Sequence, residues 1–596
     1  MDGRNSLQPH TPQLNIVWEG SQFVHHSLAR INREHCANII RSGIANMAVV
    51  PYENDQFAPD GNAKLEMIWK HDVRSAPPAM DSKPFAWIRH TYPPKSNPPH
   101  GAKWIINQPW EFSALRKDFV ELFNQADEVW TPSNFCREAY IRSGVDANKV
   151  QVIPNGIDPE LFTPAGIIPQ LPTTKRFKFL FVGGTIFRKG IDILLEAYVN
   201  AFTAQDDVTL IIKDMGGDSF YKGQTAEHLI AEIRKNPNAP EILYMDSTLT
   251  DEQLAQLYRA CDVFVSPYRG EGFSLPTLEA MACGLPVIVT KGGSTDDFVD
   301  ETVGWTIPAE KRSIGITIDG HELAEPAWLL EPDAAVLEST LQYVVNNPQE
   351  RIPKGISAAH RARTDWTWTT ATLQVLTRLD ILYGTTMSID AQDVLTDEID
   401  AVMHFTSAEL FHSLGRIDEA IEEYHHSFVS GGLPERYLIL ALHRLASICL
   451  LDDQFDLCRE YIEKAHSFSK GHCDTLYIEA VLCSMEGEWY SALNLLTQLL
   501  QSWDRSMTQT SLNLKLDAVL CDSARALMHT GAIDEARELY TKALEFNPNN
   551  PDACYGAALC FKGVGAVVEA KTMLEWAIRI KPDYRQAIEE LAEVQA

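Results

Sequence analysis

The hydrophobic positions fall into two regimes. Up to about residue 380, short apolar runs alternate with stretches whose apolar residues recur every three and four positions. The runs at 14–18, 47–50, 85–88, 104–107, 129–131 and 150–153 predict one set of strands. Between the first two, Leu28, Ile31, Ile39 and Ile40 keep helical spacing up to Ser42-Gly43, after Glu19-Gly20-Ser21-Gln22 as a tight loop. The runs at 177–182, 208–213, 242–245, 263–265 and 287–289 repeat the scheme, with a helix over 191–202. Strands apolar throughout and joined by helices predict α/β layers, two parallel Rossmann-like sheets with both faces covered. Residues 333–347 and a stretch that follows Trp366-Thr367-Trp368 and runs to Tyr383 read as helices, and beyond residue 400 only the helical period remains.

One stretch carries more than packing. After the run at 263–265, Pro267-Tyr268-Arg269-Gly270-Glu271-Gly272-Phe273-Ser274 reads as a loop entering a helix over about 274–283, which stops at Gly284. Ser274 as N-cap and the amides of 272–275 present donors at the positive end of a helix dipole, suited to a phosphate or a sugar hydroxyl. Glu271 lies just before the helix and Glu279 eight residues later. Each carboxylate can accept two hydroxyls of a diol. For an isolated pair of acids, a capped surface helix would be the simpler account.

The whole string, Glu271-Gly272-Phe273-Ser274-Leu275-Pro276-Thr277-Leu278-Glu279-Ala280-Met281-Ala282-Cys283-Gly284-Leu285-Pro286-Val287, closely resembles the Glu-x7-Glu signature of family-four retaining glycosyltransferases, which have the two-domain GT-B fold. Glu128-Val129-Trp130-Thr131-Pro132-Ser133 and Val152-Ile153-Pro154-Asn155-Gly156 resemble structural segments of the same family. The resemblance covers roughly residues 12–380. It implies a Rossmann-like acceptor-side domain over 12–165, a nucleotide-sugar domain over 166–365, and a helix crossing back over 366–385. It also implies transfer of a hexose from a nucleotide diphosphate sugar with retention, the leaving phosphate taking the acceptor proton. No Asp-x-Asp occurs before residue 380, so no metal cofactor is expected.

The site residues follow from the same likeness. Glu279 would hold the ribose diol and Glu271 a sugar hydroxyl. Backbone amides of Gly272, Phe273, Ser274 and Leu275 would contact sugar and phosphate. The loop Gly183-Gly184-Thr185-Ile186-Phe187-Arg188-Lys189-Gly190 sets two cations beside glycines, and Arg188 and Lys189 resemble the family's diphosphate-binding pair. The arginine that often follows the first glycine is Gly184 here. Gly20 would admit donor to the backbone after the first strand. On the acceptor side the family places a histidine where this chain has Gln108-Pro109-Trp110-Glu111, so His90 or Glu111 would orient the acceptor and Trp110 would stack on a sugar. A hydrogen-bonded structural role for His90 stays open.

Beyond a linker at 386–400, small residues recur in pairs: Ala408 and Ala420, Ala446 and Cys458, Ala480 and Ala492, Ala524 and Ala536, Ala558 and Ala570. With Gly415, Gly487, Gly531 and Gly565 at turns, and Pro548 and Pro582 closing the last two units, residues 401–596 resemble about five tetratricopeptide repeats. The expected partner is a polypeptide or protein acceptor. The alternatives are a glycan or lipid-linked acceptor with the repeats as an assembly module, an epimerase or phosphorylase on the same fold, and an inactive GT-B scaffold.

Charge narrows this further. The net charge is −30, and beyond residue 380 there are 16 basic against 34 acidic residues, which disfavours nucleic acid as a partner. Eleven cysteines without a C-x-x-C pair suggest a reducing compartment. With no signal-like start and no apolar run long enough to span a bilayer, a cytoplasmic protein is expected.

Overall fold

The computed structural model describes residues 14–59, 61–75, 85–215 and 225–383, and residues 401–595 with gaps at 402–403, 406–407, 410, 413–415, 430–432, 434 and 504–513. Two compact units are present, Met1–Asp393 and Val394–Ala596. The expected linker at 386–400 lies outside the described residues, as does Gly415.

In the first unit, β1 (Leu14–Gly20), β2 (Ala45–Pro51), β3 (Phe85–His90), β4 (Lys103–Asn107), β5 (Glu128–Thr131) and β6 (Val150–Val152) form a parallel sheet of order β2-β1-β3-β4-β5-β6. A second parallel sheet has the order β12-β11-β10-β7-β8-β9. Its strands are β7 (Phe177–Gly183), β8 (Val208–Asp214), β9 (Glu241–Met245), β10 (Val263–Ser266), β11 (Val287–Thr290) and β12 (Gly304–Ile307). These are the two Rossmann-like sheets of a GT-B arrangement. All seven residues of β8 are buried, as strands covered on both faces must be.

Several strands outrun their apolar runs. Glu19 and Gly20 were expected in a loop but pair with Arg89 and His90 of β3. The Glu19 carboxylate accepts from Trp87 Nε1 (2.8 Å) and Arg89 Nε (2.7 Å), so a charge is tolerated inside the sheet. The helix Ser27–Ser42 ends as expected at Gly43, whose φ of 63° is left-handed.

Several elements escaped the sequence pattern, among them the strand β12, the helix Pro348–Asp365, and the antiparallel hairpin β13 (Ala309–Ile318) with β14 (His321–Pro332). The hairpin belongs by sequence to the second half but grips the first. Ala324 N–H donates to Leu115 O (2.8 Å), Trp328 N–H to Ser113 Oγ (2.7 Å), and Arg142 pairs with Glu325 (2.7 Å). Leu323 and Ala327 pack on Ala114. The helix Trp368–Tyr383 makes a second tether, its Val375, Leu376 and Leu379 packing in the first sheet's core with Ile16 and Trp18.

In the second unit every member of the small-residue pairs is buried to within 1% exposure, so paired helices meet closely at those positions. Gly487, Gly531 and Gly565 adopt φ of 82°, 90° and 77° at the turns between helices, a conformation that costs glycine little. A further helix, Arg585–Gln595, follows the last pair.

Candidate active site

The carboxyl ends of β7 and β10 bring the two expected loops together. A short 3-10 turn, Phe187–Lys189, carries Arg188 and Lys189, and Gly190 follows it at φ 72°. A β-carbon on Gly190 would sit 1.9 Å from Pro267 O, so this close approach requires glycine. Arg269 locks the same turn from the other side, bidentate to Asp192 (2.7 and 2.8 Å) and to Glu331 (2.9 and 2.8 Å).

Within this frame Glu271, Arg188, Lys189 and Glu111 converge. Lys189 Nζ pairs directly with Glu271 Oε1, Arg188 Nη1 lies 3.6 Å from Glu271 Oε2, and Arg188 Nη2 lies 3.8 Å from Glu111 Oε1. Arg188 also donates to Gly270 O at 2.6 Å. The glycines make this packing possible: a β-carbon on Gly270 would lie 2.3 Å from Glu111 O, and one on Gly272 3.2 Å from Pro109 Cβ. Ser133 donates to Gly272 O (2.8 Å) while its Oγ caps its own helix through Cys136 N–H (3.3 Å).

The helix runs Leu275–Ala282, and Ser274 does not cap it as expected. Ser274 has φ 74°, which turns its Oγ to Thr277 Oγ1 at 2.8 Å instead of the first-turn amides. A left-handed serine costs ~1–2 kcal/mol, strain of the kind that collects at functional sites. The first backbone bond of the turn is Thr277 N–H to Ser274 O (3.1 Å), so the amides of 272–275 precede it. Phe273 packs on Phe298 and Trp366, and Leu275 on Ile31, Trp368 and Ala371. Their side chains are thus packing groups.

Glu279 is almost fully buried and accepts from Tyr258 Oη (3.0 Å), while Arg30 Nη1 lies 2.6 Å from its Oε1. Burial raises its carboxyl above the ordinary value, and the Arg30 charge opposes the rise. Arg30 was not anticipated; its neighbour Ile31 showed only the apolar face of a helix.

The acceptor-side candidates part company. Glu111 joins the Arg188 cluster, whereas His90 belongs to another network: its Nδ1 lies 2.9 Å from Asn32 Oδ1 and its Nε2 is buried without a hydrogen-bond partner among the described residues. Burial holds the His90 ring neutral, its pKa lowered to about 3. Gly20 serves the same network, since a β-carbon there would meet Asn32 Nδ2 at 2.4 Å and His90 O at 2.8 Å. The space expected for donor at Gly20 is therefore filled by Asn32. Trp110 is no stacking platform: 4% exposed, it donates from Nε1 to Ala114 O (2.8 Å) and packs on Phe119.

Comparison with known proteins adds three family matches: Glycosyl transferases group 1 over residues 167–314, Glycosyltransferase Family 4 over 70–161, and Tetratricopeptide repeat over 527–593. A D-inositol 3-phosphate glycosyltransferase of Pseudarthrobacter chlorophenolicus is 28% identical over 238 residues, 38% of this chain and 50% of that protein. An uncharacterized glycosyltransferase of Methanocaldococcus jannaschii is 30% identical over 168 residues, 28% of this chain and 41% of that one. The chain spans about half the length of the curated relatives it matches first. Among solved structures, Anabaena HepE in complex with UDP-glucose aligns with TM-score 0.44 at 15% identity, covering 62% of this chain and 99% of that one.

Proposed function

We propose, for a chain that joins group 1 and family 4 glycosyl transferase regions to tetratricopeptide repeats, that it moves a hexose from a nucleotide diphosphate sugar to an acceptor with retention of configuration. The observation that carries this is the meeting of Arg188 and Lys189 with Glu271 at the entry to the helix Leu275–Ala282. Two cations and free helix-entry amides suit a diphosphate, and the paired acid suits sugar hydroxyls. On donor binding, the diphosphate replaces Glu271 as partner of Lys189 and releases that carboxylate to the sugar. Glu279 takes the ribose hydroxyls. The glycosyl carbon to phosphate-oxygen bond then breaks as the acceptor oxygen bonds the same carbon, and the acceptor proton passes to the leaving phosphate. Lys189 and Arg188 compensate the diphosphate charge without a metal. Glu111, joined to Arg188, orients the acceptor in this scheme; His90, sealed and neutral, supports the β1 and β3 ends.

The acidic repeats favour a protein acceptor with a basic or polar surface. All eleven cysteines are free and no helix of the described residues is long and apolar enough to cross a membrane, which suits a cytoplasmic site of action. A second reading, an inactive scaffold, draws on the internal pairing of Glu279 with Arg30 and Glu271 with Lys189.

The test is a panel of nucleotide sugars with product analysis on the full chain and on residues 1–393. Slow donor hydrolysis by both, with transfer to a protein acceptor only by the full chain and falling as salt rises, fits the proposal. Equal transfer by the shortened chain removes the recruiting role of the repeats. Absence of hydrolysis and transfer with every donor leaves the scaffold.

A further inference from the structure

The second unit holds a cluster of two histidines and an aspartate where two helices meet. His443 lies in the helix Glu435–Leu451, and His472 and Asp474 open the helix Cys473–Met485 of the next repeat. The His443 and Asp474 side chains are 1% and 0% exposed, and His472 is 33% exposed. Asp474 Oδ2 lies 4.0 Å from His443 Nδ1 and 3.9 Å from His472 Nδ1. Those separations exceed a hydrogen bond, yet one donor atom from each residue falls within 4.8 Å of the others. They approach the spacing of ligands that share one ion at ~2.0–2.2 Å each, which the three reach by drawing closer.

The orientation of each ring fits. His443 Nε2 meets Thr475 Oγ1 at 2.7 Å, and this contact turns Nδ1 toward Asp474, as outer-shell partners orient a ligating imidazole. His472 Nδ1 accepts from the Asp474 amide at 3.3 Å, so its lone pair already faces the same space, and a metal bond replaces that long contact. The neighbouring trio His404, Glu423 and His426 differs: His404 Nδ1 is hydrogen-bonded to Glu423 at 2.7 Å and His426 is exposed, the geometry of a surface ion pair.

We propose that His443, His472 and Asp474 form a binding site for one divalent ion of the zinc class, with the remaining coordination position open beside His472. Two imidazoles and a carboxylate suit zinc, nickel or copper better than calcium or magnesium, which prefer all-oxygen sets. The ion cross-links the first helices of consecutive repeats, and in an array where each repeat contacts mainly its neighbours such a link stiffens the whole face.

The experiment titrates zinc chloride into the chelator-treated full chain and follows heat and unfolding temperature. One saturating equivalent is expected, raising the unfolding temperature of the repeats. It is lost in His472→Ala and Asp474→Asn, kept in His426→Ala, and weakened ~10-fold in Thr475→Val. His472 is partly exposed, so His472→Ala lowers the metal-free unfolding temperature only by the loss of one helix cap, and it keeps the test sound if Asp474→Asn misfolds. No saturable uptake by the native chain, or uptake undiminished in His472→Ala, overturns the site.

Discussion

Arg30 of the helix Ser27–Ser42 and Glu279 of the helix Leu275–Ala282 form an ion pair across the two halves of the first unit, 2.6 Å apart and with the acid 3% exposed. Such a pair holds the halves together only while both partners remain. Arg30→Ala alone should therefore destabilise the first unit by ~3–5 kcal/mol, since it strands a buried carboxylate. Adding Glu279→Ala should recover part of that loss, a coupling of ~1–3 kcal/mol in urea unfolding of residues 1–393. Strictly additive losses would show that the pair does not bind the halves.

The two signature acids should separate by ligand. With Glu279 on the ribose, Glu279→Gln should weaken both the free nucleoside diphosphate and the sugar nucleotide. Glu271→Gln should weaken the sugar nucleotide and spare the free nucleotide. Lys189→Ala should weaken both by about 10- to 100-fold, because one charge-assisted contact is worth ~1.5–3 kcal/mol and Glu271 is left facing the diphosphate. Calorimetric titration decides, and equal effects of both acids on both ligands would mean the roles are not divided.

Acid should unfold the first unit through its buried histidines. His35 is fully buried, stacks on Trp18 at 5.1 Å, and has neither ring nitrogen hydrogen-bonded among the described residues. Burial lowers its pKa to about 3, as it does for His90. Below the ordinary value of 6.5 the unfolded chain takes up protons that the folded one refuses, so their contribution to stability is lost as pH falls from 6.5 toward 3. His35→Leu should flatten that fall while leaving stability at pH 7 equal or higher. An unchanged slope in chemical unfolding between pH 7 and 4 would remove His35 as its source.

Glycine positions should rank by what surrounds them. Gly190→Ala places a β-carbon 1.9 Å from the Pro267 carbonyl and should abolish folding of the donor loop, seen as lost nucleotide binding. Gly531→Ala, at φ 90° with nothing within 4 Å, should cost only the left-handed strain of ~1–2 kcal/mol. A Gly190→Ala protein that binds nucleotide normally would contradict the contact between the two loops.

The strand runs, the Gly43 stop and the buried small-residue pairs were legible in chain order because each rests on local preference: solvation of a face, backbone freedom, or one close helix contact. The Glu271 and Glu279 string was legible for the same reason, since a single loop and helix carry it. The tertiary structure alone decided which distant groups meet. Arg30 on Glu279, Asn32 in the space beside Gly20, Trp110 turned into the core, and Ser274 twisted away from its cap all depend on how separate elements approach. The hairpin β13–β14 shows the same limit: β13 is mostly exposed and carries no burial pattern, and the hold of β14 on residues 113–117 exists only once the two halves are folded together. Burial and charge pairing at those points are properties of the assembled surfaces, and no stretch of chain contains them alone.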